Sequence, residues 1–205
     1  MRFRTEGHRF ALELLTNSDF IEWKELLAVI NGISDDDIKT THHALRRGVK
    51  KSPSEAINRL LRKRLVGLGW TPQARIFKEK GYIKNTWKLD FAKGEISLEV
   101  AFNNAGSIAW NLIKPCLASE LNHIEKDVKT RIGVIITATD ALKRTGGFDG
   151  AIGSFERYVE YLKPLGALLA TPILVIGLEP MEKYRVEHRM VEGKKKAVFM
   201  RVSAT

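Results

Sequence analysis

The chain has 205 residues, which is enough for one compact domain with a real core but too few for two ordinary domains. Hydrophobic residues make up 44% of it, and no apolar run approaches the ~20 residues that a membrane helix requires, so we expect a single domain over residues 1–205 and no membrane partner. With 34 basic and 24 acidic side chains the net charge is +10, which favours a polyanionic partner, nucleic acid first.

The first 70 residues are predicted to form a mainly helical part. Residues 1–8 mix charged and polar side chains without the apolar stretch of a secretory signal, so we expect a cytoplasmic protein. Apolar residues then recur at helical spacing at Phe10, Leu14, Phe20, Trp23, Leu27 and Ile30. After a polar stretch over 34–39, a further helix is predicted from about Ser54 to Val66.

Positive charge is concentrated around this last helix. The basic residues are Arg46, Arg47, Lys50 and Lys51 before it and Arg59, Arg62, Lys63 and Arg64 within it. Such a concentration favours a nucleic-acid surface, although a solvated helix face would also account for part of it.

Residues 71–205 are predicted to form an α/β core. Residues 71–86 are typical of a loop or short hairpin, and strict alternation from Glu95 to Phe102 predicts a strand. A helix is expected over about 107–126, with an apolar stripe of Trp110, Ile113, Leu117, Leu121, Ile124 and Val128. Unbroken apolar runs over 132–137 and 173–178 predict two buried strands. A Gly-rich loop and a helix through Tyr158 separate them, and 198–202 could add an edge strand. This order predicts a sheet covered by helices on both faces.

Two acidic residues of this core could share a metal ion. Asp90 lies nine positions before Glu99, which is on the polar face of the predicted strand. Mg²⁺ prefers oxygen ligands and is usually held by one or two carboxylates, with substrate phosphate and water completing its shell. Spacing alone leaves another interpretation open, namely a surface Asp at a turn and a solvent-facing strand Glu.

The surrounding residues resemble a known active-site segment. The run Asp90-Phe91-Ala92-Lys93 followed by Leu98-Glu99-Val100-Ala101-Phe102 is similar to that of the BglII/BstYI family of type II restriction endonucleases, a branch of the PD-(D/E)XK nucleases. Further similarity covers Ser52-Pro53, Ile57-Asn58, Leu65 to Trp70 and Pro172 to Leu178. The resemblance implies a restriction-endonuclease-like central mixed β-sheet flanked by helices. It also implies Mg²⁺, for which Mn²⁺ can substitute, as cofactor.

The resemblance also implies roles for individual residues. Asp90 and Glu99 would be the catalytic metal ligands, and the carbonyl of Val100 would be a further ligand. Ala101 departs from the family, which has Gln there, or Lys or Glu in the wider superfamily, to hold the attacking water. Glu95 lies roughly 13 Å from Glu99 along a strand and cannot replace that group. Three alternatives remain: a group from another part of the chain positions the water, the metal alone suffices, or the centre is inactive.

The expected partner is double-stranded DNA, bound by a homodimer. Asn103 and Asn104 follow the strand where the family contacts DNA, although Asn also favours turns. Lys143, Arg144 and Thr145 lie in a predicted loop, 140–153, that corresponds to the stretch from which the family reads bases. The implied function is Mg²⁺-dependent hydrolysis of DNA phosphodiester bonds within a short palindrome. A catalytically degenerate sequence-reading DNA-binding protein and a structure-specific DNA repair nuclease are the alternatives.

Overall fold

A six-stranded mixed sheet forms the centre of the computed structural model, which describes residues 1–45, 51–120, 124–191 and 193–202. The elements in chain order are β1 (Phe3–His8), α1 (Ala11–Asn17), α2 (Ile21–Gly32), α3 (Asp35–Ala44), α4 (Ser54–Gly67), β2 (Thr71–Arg75), β3 (Lys88–Lys93), β4 (Ile96–Val100), α5 (Ile108–Ser119), β5 (Ile132–Ala138), α6 (Asp140–Thr145), α7 (Phe155–Leu165), β6 (Ile173–Leu178), β7 (Tyr184–Val191) and β8 (Lys194–Arg201). This mixed α/β architecture confirms the predicted fold class.

The strands are ordered β1-β6-β5-β4-β3-β2. β4, β5 and β6 are parallel, while β1, β3 and β2 add antiparallel strands at the two edges. Every residue of β5 and β6 is buried, as their unbroken apolar sequences predict. These two strands fix the centre of the core, so the carboxylate-bearing β3 and β4 lie between it and the β2 edge.

The four N-terminal helices cover one face of the sheet. Ile96 and Leu98 of β4 share a buried cluster with Leu26 and Ile30 of α2 and with Leu61 of α4. This packing agrees with the helical prediction for this part of the chain.

Two elements of the N-terminal part are absent from that prediction. The strand β1 precedes the helices and pairs with β6. The polar stretch after Gly32 forms α3, because Ser34 and Asp37 make reciprocal side-chain to backbone bonds of 3.0 and 3.1 Å that cap its first turn.

Helices α5 and α7 cover the opposite face. α5 approaches β5 closely because Gly133 has no side chain: a Cβ there would lie 2.5 Å from the Cβ of Pro115. The predicted helix over 107–126 is too long, since α5 ends at Ser119, and Leu121 lies outside the described residues. The predicted stripe is wrong at Ile113, which is exposed, whereas Leu117, Ile124 and Val128 are partly buried; the buried apolar face of α5 carries Ile108 and Leu112.

The C-terminal strands form a separate hairpin. β8 pairs with β7 and not with the main sheet, so the predicted edge strand lies elsewhere. The hairpin is anchored by Phe199, which is buried against the His42 ring of α3. Tyr184 also donates a hydrogen bond of 2.8 Å to Asp36.

Among the described residues, none of the helices combines the length and the apolar character needed to cross a membrane.

Candidate active site

The two predicted carboxylates come together across neighbouring strands. β3 and β4 are antiparallel with Phe91 opposite Leu98, and the same register one residue further places Asp90 opposite Glu99. Side chains of such a pair project from the same face with Cβ atoms about 4.5–5.5 Å apart. The pair is therefore close enough for both carboxylates to bind one ion.

Glu99 is buried beneath α5, not solvent-facing. Its side chain is only 4% exposed, and its Oε2 accepts a short hydrogen bond from the ammonium of Lys114. Its Oε1 is buried and has no hydrogen-bond partner among the described residues. The pKa of Glu99 is raised from 4.5 to about 8, mainly by burial and to a smaller degree by the Asp90 charge, while Lys114 opposes the shift.

Asp90 is half-buried and is held by two neighbours. Its Oδ2 accepts a 2.9 Å hydrogen bond from the backbone N–H of Val100, and its Oδ1 accepts a longer one, 3.4 Å, from the side-chain amide of Gln73. Gln73 interrupts the pairing of β2 with β3 at a left-handed φ of 52°. Asp90 is thus fixed next to the backbone of Val100, the third predicted ligand.

A cleft of about 200 Å³ opens beside Asp90. Its lining residues are Asn58, Arg62, Gln73, Asp90, Phe91 and Val100. Asn58 and Arg62 are four residues apart on α4 and therefore share one helix face. A larger cleft of about 560 Å³ lies at the other end of β4, beside Glu95, and does not include the carboxylate pair. The smaller cleft thus brings the Asp90 carboxylate and the Arg62 guanidinium to one opening, with Glu99 buried behind it.

The donor set fits a hard divalent cation such as Mg²⁺. It offers two carboxylates, one of which has a buried oxygen without a partner in the described part of the chain. Within the same residues, no group of three or more His, Cys, Asp or Glu side chains is arranged so that it could hold a metal ion. Mg²⁺ suits such a site because it keeps several water molecules and takes substrate phosphate oxygens as ligands.

Position 101 contributes no polar group to the site. Ala101 is 2% exposed and packs in the cluster that contains Ile108 and Leu112 of α5. Glu95 lies in the turn before β4 and forms a 3.0 Å ion pair with Arg131, at a distance from the site as expected. The strand therefore offers no substitute for the side chain that Ala101 lacks.

Lys114 is the site residue that sequence reasoning missed. It projects from α5, is 7% exposed, and also donates a 3.2 Å hydrogen bond to the carbonyl of Lys88. One signal could have identified it, since it is the sole charged residue of α5. Burial of a lysine ammonium costs free energy unless a polar partner is buried beside it, so a lone lysine in an apolar helix indicates such a partner.

Asn103 and Asn104 are both exposed just beyond β4. The side-chain oxygen of Asn104 accepts a 2.8 Å bond from Gly106 N–H, so Asn104 shapes the turn. That of Asn103 accepts a 3.2 Å bond from Asn111, whose amide also donates to the Tyr158 hydroxyl at 2.7 Å. Asn103 is thus oriented by α5 and α7.

Lys143, Arg144 and Thr145 lie on α6, so the prediction that 140–153 is all loop is wrong at its start. Thr139 caps this helix by accepting a 3.1 Å bond from Leu142 N–H. Lys143 donates to the carbonyl of Ile152 at 3.0 Å, and the Thr145 hydroxyl donates to Ala141 within the helix. Arg144 is exposed.

The basic surface is only partly described. Arg59, Arg62 and Lys63 are exposed on α4, while Arg64 forms a 3.0 Å ion pair with Asp37. Lys51 is exposed as well, and its backbone carbonyl contacts the His188 ring at 2.7 Å. The predicted basic residues Arg46, Arg47 and Lys50 lie outside the described residues.

Comparison with known proteins gives a consistent result. Residues 3–178 match the family model for the restriction endonucleases BglII and BglIII. A crystal structure of restriction endonuclease BglII complexed with a DNA 16-mer superposes with a TM-score of 0.68 at 16% identity, covering 98% of this chain and 100% of that one. A crystal structure of free BglII gives a TM-score of 0.53 at 15% identity, covering 96% and 90%. A search of curated proteins found no match. At these identities the structural similarity shows the fold, which confirms the predicted restriction-endonuclease-like sheet.

Proposed function

The chain belongs to the BglII/BglIII family of restriction endonucleases, and from this premise we propose that it is a type II enzyme that hydrolyses DNA phosphodiester bonds with Mg²⁺, or Mn²⁺ in its place. The observation that carries the proposal is the pairing of Asp90 with Glu99, together with a cleft that Asp90 and Arg62 both line. The acidic pair suits a divalent cation, and the guanidinium suits a phosphate of the DNA backbone.

Each residue of the centre has a distinct task in this proposal. Asp90, the Oε1 of Glu99 and the carbonyl of Val100 hold the ion. When bound, Mg²⁺ supplies activation of water and neutralisation of the charge that develops on the phosphate. Arg62 attracts the DNA backbone to the cleft, and Gln73 keeps the Asp90 carboxylate oriented through its amide.

The proposed substrate is a short palindrome in double-stranded DNA, bound by a homodimer. The BglII structure that resembles this chain contains a DNA 16-mer, and a two-fold dimer matches the symmetry of a palindrome. Among the predicted DNA contacts, Asn103 and Arg144 are the best placed, since both are exposed and Asn103 is pre-oriented by Asn111. Asn104 and Thr145 make hydrogen bonds within their own turn or helix, and Lys143 donates to the carbonyl of Ile152. We therefore assign these three residues to shaping the DNA-binding surface.

The test is cleavage of a genomic DNA of known sequence, with sequencing of the ends. Wild type in Mg²⁺ is expected to give discrete fragments, whereas Glu99→Gln and Asp90→Asn lose cleavage by orders of magnitude because the ion loses a ligand. DNA binding in a gel-shift assay should persist in both variants. Glu95→Gln is the matched control, since Glu95 lies just before the same strand but pairs with Arg131 away from the cleft. Equal cleavage by Glu99→Gln and wild type contradicts the assignment.

A second candidate is a sequence-reading DNA-binding protein without nuclease activity. The observation that favours it is the buried methyl group of Ala101, which cannot hold water. In the same assay this candidate predicts retarded but intact DNA from wild type in both Mg²⁺ and Mn²⁺.

A further inference from the structure

Lys114 is buried between an otherwise uncharged helix and the sheet, where removing an ammonium from water costs free energy. It is 7% exposed and the rest of α5 is uncharged, so the helix would pack on the sheet with an apolar residue in its place. A buried ammonium is tolerated when it is hydrogen-bonded, and Lys114 donates to the carboxyl group of Glu99 and to the carbonyl of Lys88. Its ammonium is therefore tied to both strands that carry the carboxylate pair.

The contact makes the two oxygens of Glu99 unequal. Oε2 is held by Lys114, whereas Oε1 is buried and lacks a partner among the described residues. A carboxylate held at one oxygen has a fixed orientation, so its other oxygen is presented in one direction. Lys114 thereby determines which oxygen of Glu99 is available to a cation shared with Asp90.

The helix that carries Lys114 is itself held firmly. Pro115, the next residue, packs against Gly133 of β5 at a distance that leaves no room for a side chain. One turn earlier, Asn111 donates a 2.7 Å bond to the Tyr158 hydroxyl of α7. These contacts on both sides of Lys114 give it the rigidity that a supporting residue of an active site requires.

We propose that Lys114 is a positioning residue of the nuclease centre, which orients Glu99 for metal binding. The proposal rests on the proposed nuclease function. Lys114 acts through Glu99, so its effect appears in metal binding as well as in cleavage.

The test compares Mn²⁺ affinity, measured by calorimetry without DNA, with the single-turnover cleavage rate. Lys114→Met and Lys114→Gln are expected to lower both by about 10- to 100-fold, as is typical when a residue that supports a metal ligand is removed. DNA binding in EDTA should stay at the wild-type level. Lys114→Arg keeps the charge and a donor, and should recover part of the metal affinity. Two neutral variants of different polarity are included in case one of them does not fold.

Lys126→Met is the matched control. Lys126 is also a buried lysine, 8% exposed, and it donates to the backbone carbonyl of Leu117 instead of to a carboxylate. This variant should bind Mn²⁺ and cleave DNA like wild type even if it unfolds at a lower temperature. Equal loss of metal affinity in Lys126→Met and the Lys114 variants would reduce Lys114 to a structural role and overturn the proposal.

The failure of this proposal differs from that of the nuclease function. Wild-type metal affinity and cleavage in folded Lys114→Met or Lys114→Gln overturn the role of Lys114 alone, because Glu99→Gln would still lose both. If wild type and Glu99→Gln bind Mn²⁺ equally and neither cleaves DNA, the metal centre itself is refuted, and the role proposed for Lys114 is overturned as well.

Discussion

Burying Glu99 costs the protein free energy whenever its carboxyl group is charged. The side chain is 4% exposed and its pKa is raised to about 8, so the folded, metal-free protein keeps a proton there that the unfolded chain releases near 4.5. Asp90 lies on the same face but is half-buried and accepts a backbone N–H bond. A bound cation would therefore offset a larger free-energy cost of negative charge at Glu99 than at Asp90.

This difference predicts a pH dependence of stability in the metal-free protein. Between the unfolded pKa of Glu99 and its folded value of about 8, the folded state binds one more proton than the unfolded state. The contribution of Glu99 to stability is thus complete below about pH 4.5 and is lost as pH rises towards 8, by at most about 1.4 kcal/mol per pH unit.

Denaturant unfolding in EDTA at several pH values between 5 and 8 measures this effect. Relative to Glu99→Gln, wild type should lose stability as pH rises, and the difference should level off above pH 8. Other titrating groups, such as the buried His42, are present in both proteins and cancel in the comparison. Parallel pH profiles would show that Glu99 does not titrate in this range.

At the scale of elements, the approach of α5 to the sheet depends on Gly133. A Cβ at this position would lie 2.5 Å from Pro115 Cβ and 2.9 Å from its Cγ, both in a rigid ring that cannot rotate away. Gly133→Ala must therefore move α5 outward or bend β5. Because Lys114 precedes Pro115, the same shift would move its ammonium relative to Glu99.

Gly133→Ala is expected to lower the free energy of unfolding by about 1–3 kcal/mol, the usual cost of overpacking a core. It should also reduce the cleavage rate while the protein is still fully folded at the assay temperature. Thermal unfolding and single-turnover cleavage measure the two effects. Gly150→Ala is the control, because a Cβ there has no atom within 4 Å. Wild-type stability in Gly133→Ala would mean that α5 adjusts without strain.

Elements whose side chains carry a clear pattern could be predicted from the sequence. The alternation over 95–102 gave the two faces of β4 correctly, and the apolar runs gave β5 and β6. The polar strand β1 was not predicted, and β2 lies in the segment 71–86 that was predicted only as a loop or short hairpin. Both strands are held by backbone pairing with a neighbouring strand and show little apolar alternation.

The error over α5 follows from the candidate site. This helix buries Asn111 and Lys114 against polar groups, so the face with the most apolar sequence is not the buried one. Asp90 and Glu99 could be predicted because resemblance marked them in sequence. Lys114 could not, since its relation to Glu99 exists only after α5 packs on β4.

Exposed positive charge on α4 lies beside the candidate site. Arg59, Arg62 and Lys63 are exposed on α4, and Arg62 lines the cleft that contains Asp90. This arrangement fits a DNA strand that crosses α4 on its way to the carboxylate pair. In the proposed function each chain cuts one strand at its Asp90–Glu99 pair, so we expect that cutting both strands of a duplex takes a second copy.

A mixed dimer tests that requirement. Wild type and Glu99→Gln carrying different affinity tags can be co-expressed and purified through both tags, which selects dimers with one intact centre. On a supercoiled plasmid with one recognition site, this species should accumulate nicked circles, because its intact centre cuts one strand and the other strand remains whole. Wild type carrying both tags should yield linear DNA under the same conditions. A mixed species that linearises the plasmid at the wild-type rate, or a monomer in sedimentation on DNA that cuts both strands, would contradict the division of the two cuts between two subunits.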